Sequence, residues 1–121
     1  MNNEMLSLDP LHLCKCLADE TRLMSMLLVL HEQELCVCEM THALQESQPK
    51  VSRHLAELRR YGLLSARRES QWIYYGLAST LPGWVMSILE AAAEGRSEDL
   101  QRLRKRLDSM GNRPERRAAL C

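Results

Sequence analysis

Two cysteines two residues apart, Cys36 and Cys38, are the first groups with a chemistry of their own. Thiolates are soft ligands and suit soft, thiophilic ions. Inside a regular helix, residues i and i+2 point about 200° apart, so their sulfurs could not share a small ion. An extended or frayed junction can turn both sulfurs to one side. Cys14, Cys16 and Cys121 complete the thiol inventory. A second run begins at Ser47 and holds Gln48, Lys50, Ser52, Arg53 and His54. These side chains bond base edges or phosphates. Arg67 and Arg68 add two more guanidinium groups downstream.

Local signals predict the elements that carry these groups. Asp9-Pro10 starts a short helix over 9–18, with Leu11, Cys14, Leu17 and Ala18 on one face. That pattern places Cys14 in the core and Cys16 off the apolar face, toward a dimer surface. Asp19 caps a second helix over 20–31. Leu35-Cys36-Val37 is extended, and a third helix starts at Cys38 or Glu39 and ends at Leu44. After a turn at Gln45-Glu46, Ser47 caps a fourth helix with Pro49 in its first turn. Val51, Leu55 and Leu58 form its buried stripe. Gln48, Lys50, Ser52, Arg53, His54, Glu57 and Arg60 are read as its outward side. Gly62 stops it.

Leu63–Arg68 and Gln71–Leu77 are β-prone runs around a turn at Glu69-Ser70 and predict a hairpin. An amphipathic helix follows Pro82 and ends at Gly95. Leu100, Leu103, Leu107 and Met110 form a narrow seam suited to packing on a partner helix. The predicted organisation is a winged-helix and sensor domain over 1–95, with dimer helices at 9–18 and 81–93, then a C-terminal helix and basic tail over 96–121. The fold class is mainly α with a small β component. Helix, turn, helix and hairpin, in that order, make a winged helix-turn-helix with a two-stranded wing; one recognition helix reads only a few base pairs, so pairing as a homodimer through terminal helices is expected.

Composition narrows the function classes. The 121 residues are 45% hydrophobic and 26% charged, as in an ordinary folded protein. The core must be aliphatic, because 22 leucines and seven methionines stand against no phenylalanine. No apolar run approaches the length of a membrane helix, so no membrane partner is expected. Five cysteines without an export signal predict a reducing, cytoplasmic compartment in which thiols serve as ligands or redox groups. No glycine-rich phosphate cradle, HExxH or GxSxG motif occurs, which leaves an enzyme reading with little support. The net charge of zero conceals a gradient: residues 1–47 sum to −6, 48–75 to +4 and 76–121 to +2. The basic middle coincides with the fourth helix and the hairpin. Charge alone leaves a solvated charged face or a phosphate-binding surface, and the helix-turn-helix order favours the second, with double-stranded DNA as partner.

Four segments carry a family resemblance: Leu17-Ala18-Asp19-Glu20-Thr21-Arg22, Glu34 to Glu39, Ser47 to Leu55, and Trp72 to Tyr75. In this order they resemble the ArsR/SmtB metalloregulators, most of all the arsenical-resistance repressors, over residues 9–95. The resemblance implies a winged-helix homodimer that represses transcription and leaves its operator when a toxic thiophilic ion binds. Ser47, Gln48, Ser52, Arg53 and His54 carry over as operator contacts and Lys50 as a phosphate contact. The hairpin arginines Arg67 and Arg68 would touch flanking backbone. Cys36 and Cys38 carry over as ligands for As(III) or Sb(III), which those repressors bind through three sulfurs. Here Thr41 stands where a third cysteine is usual, so Cys14, Cys16, Cys121 or water is left to supply the third ligand. No histidine follows His54, which excludes the family's zinc site on the last dimer helix. A rival reading keeps the same cysteines as a thiol redox sensor, closing a Cys36–Cys38 or an intersubunit disulfide.

Overall fold

The computed structural model describes residues 8–111. Asp9 accepts the His12 amide at 2.8 Å and opens α1, Pro10–Leu17. Asp19 does the same for Arg22 at 3.0 Å and opens α2, Glu20–Glu32. Each short side chain satisfies an amide that has no partner within its helix. Met24, Met26, Leu27, Leu28 and Val29 are all buried, so α2 is enclosed on nearly every side and forms the centre of the core. The chain turns at Gln33 with φ 76° and enters β1, Glu34–Cys36, followed directly by α3, Val37–Leu44.

Ser47 caps α4, Gln48–Arg60, by accepting the Lys50 amide at 3.3 Å. The end of α4 is built by Gly62. With φ 79° it lets its own amide reach the Arg59 carbonyl and the Leu63 amide reach Leu58, at 2.9 and 3.0 Å. Leu58 and Leu63 are both buried beneath this reversal.

Strands β2, Leu64–Glu69, and β3, Trp72–Leu77, form the expected hairpin, with Ser70-Gln71 as its two-residue loop rather than Glu69-Ser70. The sheet has a third member. β1 pairs antiparallel with β3, giving the order β1-β3-β2 and the rows Glu34↔Gly76 and Cys36↔Tyr74. A Cβ on Gly76 would sit 3.1 Å from the Gln33 carbonyl oxygen, so the absent side chain lets β1 approach.

Helix α5, Gly83–Gly95, buries Val85, Leu89 and Ala93. Arg96 breaks the line and α6, Ser97–Asp108, turns back. The seam Leu100, Leu103 and Leu107 packs inside this chain, against α2 and α3. The residues after Gly111, most of the expected basic tail, lie outside the described residues.

The buried face of α1 differs from the expected one. Leu13 and Cys16 are buried, whereas Cys14 and Ala18 are exposed and Leu11 is 63% exposed. A two-turn helix offers two overlapping stripes, and packing on α2 selects the one through Leu13, Cys16 and Leu17. No helix among the described residues is long and apolar enough to cross a membrane.

Candidate nucleic-acid interface and thiol site

Helix α4 stands on the core with Val51, Leu55 and Leu58 fully buried. Its opposite side is polar. Gln48 is exposed and donates to the half-buried Ser52 hydroxyl at 3.3 Å. Lys50 pairs with Glu46 at 3.0 Å, and Arg60 with Glu57 at 3.0 Å. Arg53 is exposed, and among the described residues no carboxylate holds it. A guanidinium without a partner is the one that loses least by turning to a base edge or a phosphate.

His54 does not share this face. It is 9% exposed and lies against α2. Val51, His54, Leu55 and Leu58 follow the i, i+3, i+4, i+7 order of a buried stripe. The Arg22 guanidinium donates to His54 Nδ1 at 3.2 Å, and His54 Nε2 is 3.7 Å from Asp19 Oδ2. Arg22 also donates to the carbonyls of Cys16, at 2.6 Å, and Lys15, at 3.4 Å. One side chain thus joins the end of α1, the start of α2 and the middle of α4. Burial pushes the His54 pKa below the ordinary histidine value, with Asp19 opposing and Arg22, Arg53 and Lys50 reinforcing. Arg22 was not singled out from sequence. Its signal was the position three residues after the capping Asp19.

The two hairpin arginines also differ. Arg68 is exposed and, among the described residues, carries no ion pair. Arg67 is held by Glu34 at 2.7 and 2.8 Å and by Glu69 at 2.9 Å.

The thiols lie where β1 becomes α3. Cys36 closes the strand and caps the helix, which is the strand-to-helix junction the spacing requires. Its backbone amide donates to Glu39 Oε1 at 2.9 Å, and its sulfur faces the Glu39 amide. Cys36-x-x-Glu39 is therefore a capping box with sulfur in place of a serine oxygen, a pattern legible in the sequence but not singled out there. Cys36 is almost wholly buried and Cys38, one residue into α3, is half-buried. Burial raises the Cys36 thiol above its usual pKa, and the Glu39 carboxylate adds to this while the Glu39 and Cys38 amides oppose it. Cys36, Val37 and Cys38 line an open cleft whose far wall is Gln71, Trp72 and Ile73 at the start of β3.

Cys14, Cys16 and Cys36 are free thiols. Cys16 is pushed up to about 11 by burial, against the pull of Arg22, which makes it a poor thiolate at neutral pH. Among the described residues no three His, Cys, Asp or Glu side chains form a group able to hold a metal ion. Cys121 lies outside the described residues.

Residues 19–66 match the family model described as "Bacterial regulatory protein, arsR family". The arsenic resistance transcriptional regulator ArsR1 of Pseudomonas putida is 52% identical over 101 residues, covering 84% of this chain and 79% of that protein. The chain belongs to the ArsR family. Its members are DNA-binding transcriptional regulators and not enzymes. Among solved structures, HlyU from Vibrio cholerae aligns with a TM-score of 0.62 and 38% identity, over 69% of this chain and 87% of that one. The AntR antimony-specific transcriptional repressor aligns with a TM-score of 0.61 and 27% identity, over 75% and 79%. The winged helix-turn-helix of the ArsR fold is thus established on both sequence and structure. In its terms α3 and α4 are the helix-turn-helix pair, β2 and β3 are the wing, and the cysteines sit at the N-terminus of α3.

Proposed function

We propose that this ArsR-family chain is a homodimeric repressor that releases its operator on binding arsenite or antimonite, and that it acts in the cytoplasm. The proposal has α4 entering the major groove, where Gln48, Ser52 and Arg53 reach base edges and Ser47 and Lys50 meet phosphates. Arg68 contacts the flanking backbone from the wing. Cys36 and Cys38 are the metalloid ligands. Each As–S or Sb–S bond would form as a hydroxide leaves the metalloid and takes up the thiol proton as water.

One observation carries this reading. Cys36 is the N-cap of α3, the first helix of the DNA-reading pair. Cys36 caps α3 from an extended backbone and Cys38 lies in its first turn, so holding both sulfurs on one ion would bear directly on that helix start. Metalloid and DNA then favour different states of one junction, which is the requirement for coupled binding. The third ligand is left to Cys14, Cys16 or Cys121, or to water. The names of the relatives support the inducer class: arsenic for ArsR1 and antimony for AntR.

The alternative is a thiol redox sensor that uses the same cysteines. Metalloid capture requires reduced thiols, so the two readings separate under a reductant.

The test is operator binding by the reduced protein, titrated with arsenite and separately with antimonite. Cys36→Ser and Cys38→Ser are expected to bind operator within about threefold of wild type, since serine is a good N-cap and neither position faces DNA. Both variants are expected to stay bound at metalloid levels that release wild type. Release of Cys36→Ser at wild-type arsenite levels overturns the site. Release by oxidant alone, with no response to either metalloid under reductant, replaces it with the redox reading.

A further inference from the structure

We propose that Arg67 is a positioning residue that fastens the wing to the strand carrying Cys36, and that it does not neutralise a DNA phosphate. The rows of the sheet put Cys36, Tyr74 and Arg67 side by side on β1, β3 and β2. Residues two apart on a strand share a face, so Glu34 flanks Cys36 on that side of the sheet. Arg67 lies over the Tyr74 ring, its guanidinium carbon 4.8 Å from the ring centroid. It crosses β3 completely and closes a two-point fork on Glu34, with Nε to Oε2 at 2.7 Å and Nη2 to Oε1 at 2.8 Å. Its remaining nitrogen, Nη1, donates to Glu69 Oε1 at 2.9 Å.

Three features set this apart from an ordinary surface ion pair. The contact is bidentate, it is networked, and it rests on an aromatic face. All three guanidinium nitrogens are spent on carboxylates. Arg67, Glu34 and Glu69 together carry one net negative charge, which repels a phosphate. Among the described residues Arg68, next in the strand, has no such partner and presents its charge outward. A clamp from β2 to β1 also makes physical sense, because β1 is only three residues long and lies at the sheet edge. Cys36 is its last residue, so whatever steadies β1 steadies the capping sulfur of α3.

The inference needs only the DNA binding of the ArsR family and stands apart from the metalloid reading. The experiment compares Arg67→Ala, Arg67→Lys, Glu34→Gln and Arg68→Ala, all in the full chain. Operator affinity is measured from 50 to about 300 mM salt, and amide hydrogen exchange is followed across β1 and β3. Losing one phosphate contact lowers the slope of log affinity against log salt by about 0.9. Arg68→Ala is expected to show that loss and leave exchange unchanged. Arg67→Ala and Glu34→Gln are expected to keep the wild-type slope and to speed exchange of the β1 amides severalfold. Arg67→Lys keeps the charge but not the fork, and is expected to behave as Arg67→Ala in both measurements. A slope lowered by Arg67→Ala and restored by Arg67→Lys makes Arg67 a phosphate contact and overturns the proposal. Unchanged β1 exchange in Arg67→Ala and Glu34→Gln overturns the clamp.

Discussion

His54 sits between a guanidinium and a carboxylate, and the two demand different things of its ring. Arginine has only donors, so the nitrogen facing Arg22, Nδ1, must be an acceptor and carry no proton. The proton is then on Nε2, toward Asp19. A second proton would put an imidazolium against Arg22, with Arg53 and Lys50 also nearby, in a site that burial has already made unfavourable to charge. The folded pKa therefore lies below the ordinary 6.5. The unfolded chain takes up this proton more readily than the folded one, so the neutral ring favours folding above about pH 6.5, and that contribution fades as the pH falls through the depressed value. Urea midpoints measured between pH 7.5 and 5.0 are expected to fall more steeply for wild type than for His54→Gln, whose amide can accept from Arg22 but does not titrate. Parallel curves would exclude the effect. The position of His54 could have been read from its spacing within the Val51–Leu58 stripe. Its polarity suggested the outward face instead, because nothing local reveals that Arg22, thirty-two residues earlier, supplies the partner.

At the scale of elements, legibility followed the range of the interaction. Helix starts were readable because a cap joins residues three apart: Asp9 to His12, Asp19 to Arg22, Ser47 to Lys50. The stop at Gly62 and the hairpin were readable for the same reason. The third strand was not, since Glu34–Cys36 becomes a strand only by pairing with residues some forty positions on. The buried face of α1 is not set locally, because packing on α2 selects it. The recognition surface falls between these cases. Its location on α4 followed from local capping and periodicity, whereas which cations are available depends on their carboxylate partners, Glu46 for Lys50, Glu57 for Arg60 and, from far along the chain, Glu34 for Arg67. Arg53 emerges as the exposed, uncommitted guanidinium in the middle of α4. Arg53→Ala is expected to weaken operator binding by about 1–3 kcal/mol, the discrimination of one bidentate guanine contact. Binding to random duplex should change much less. Competition titrations against both DNAs decide this, and equal losses on the two would reduce Arg53 to a phosphate contact.

For the whole molecule the open matter is how one small domain reads enough DNA. One recognition helix spans only a few base pairs, so specificity calls for two copies presenting α4 to successive major grooves, about 34–36 Å apart. The chain leaves apolar surface where such a partner could sit. Leu11 on α1 is 63% exposed and Trp84 on α5 is 37% exposed, and these are two of the three large apolar side chains left open among the described residues. The third, Ile73, belongs to the wing beside the cysteine cleft. Leu11 and Trp84 lie on the two helices that the sequence marks for dimerisation. Neither is needed for the monomer core, which is closed around α2 by other residues. Sedimentation at micromolar concentration is expected to give a species of twice 13.9 kDa. Leu11→Glu and Trp84→Glu should each shift it toward 13.9 kDa while the helical circular dichroism is retained. Operator affinity should fall with the dimer, by about 10²–10⁴-fold at fixed monomer concentration, because the second half-site is no longer engaged at high effective concentration. A wild-type monomer under these conditions would refute the paired arrangement. A dimer untouched by either substitution would move the interface away from α1 and α5.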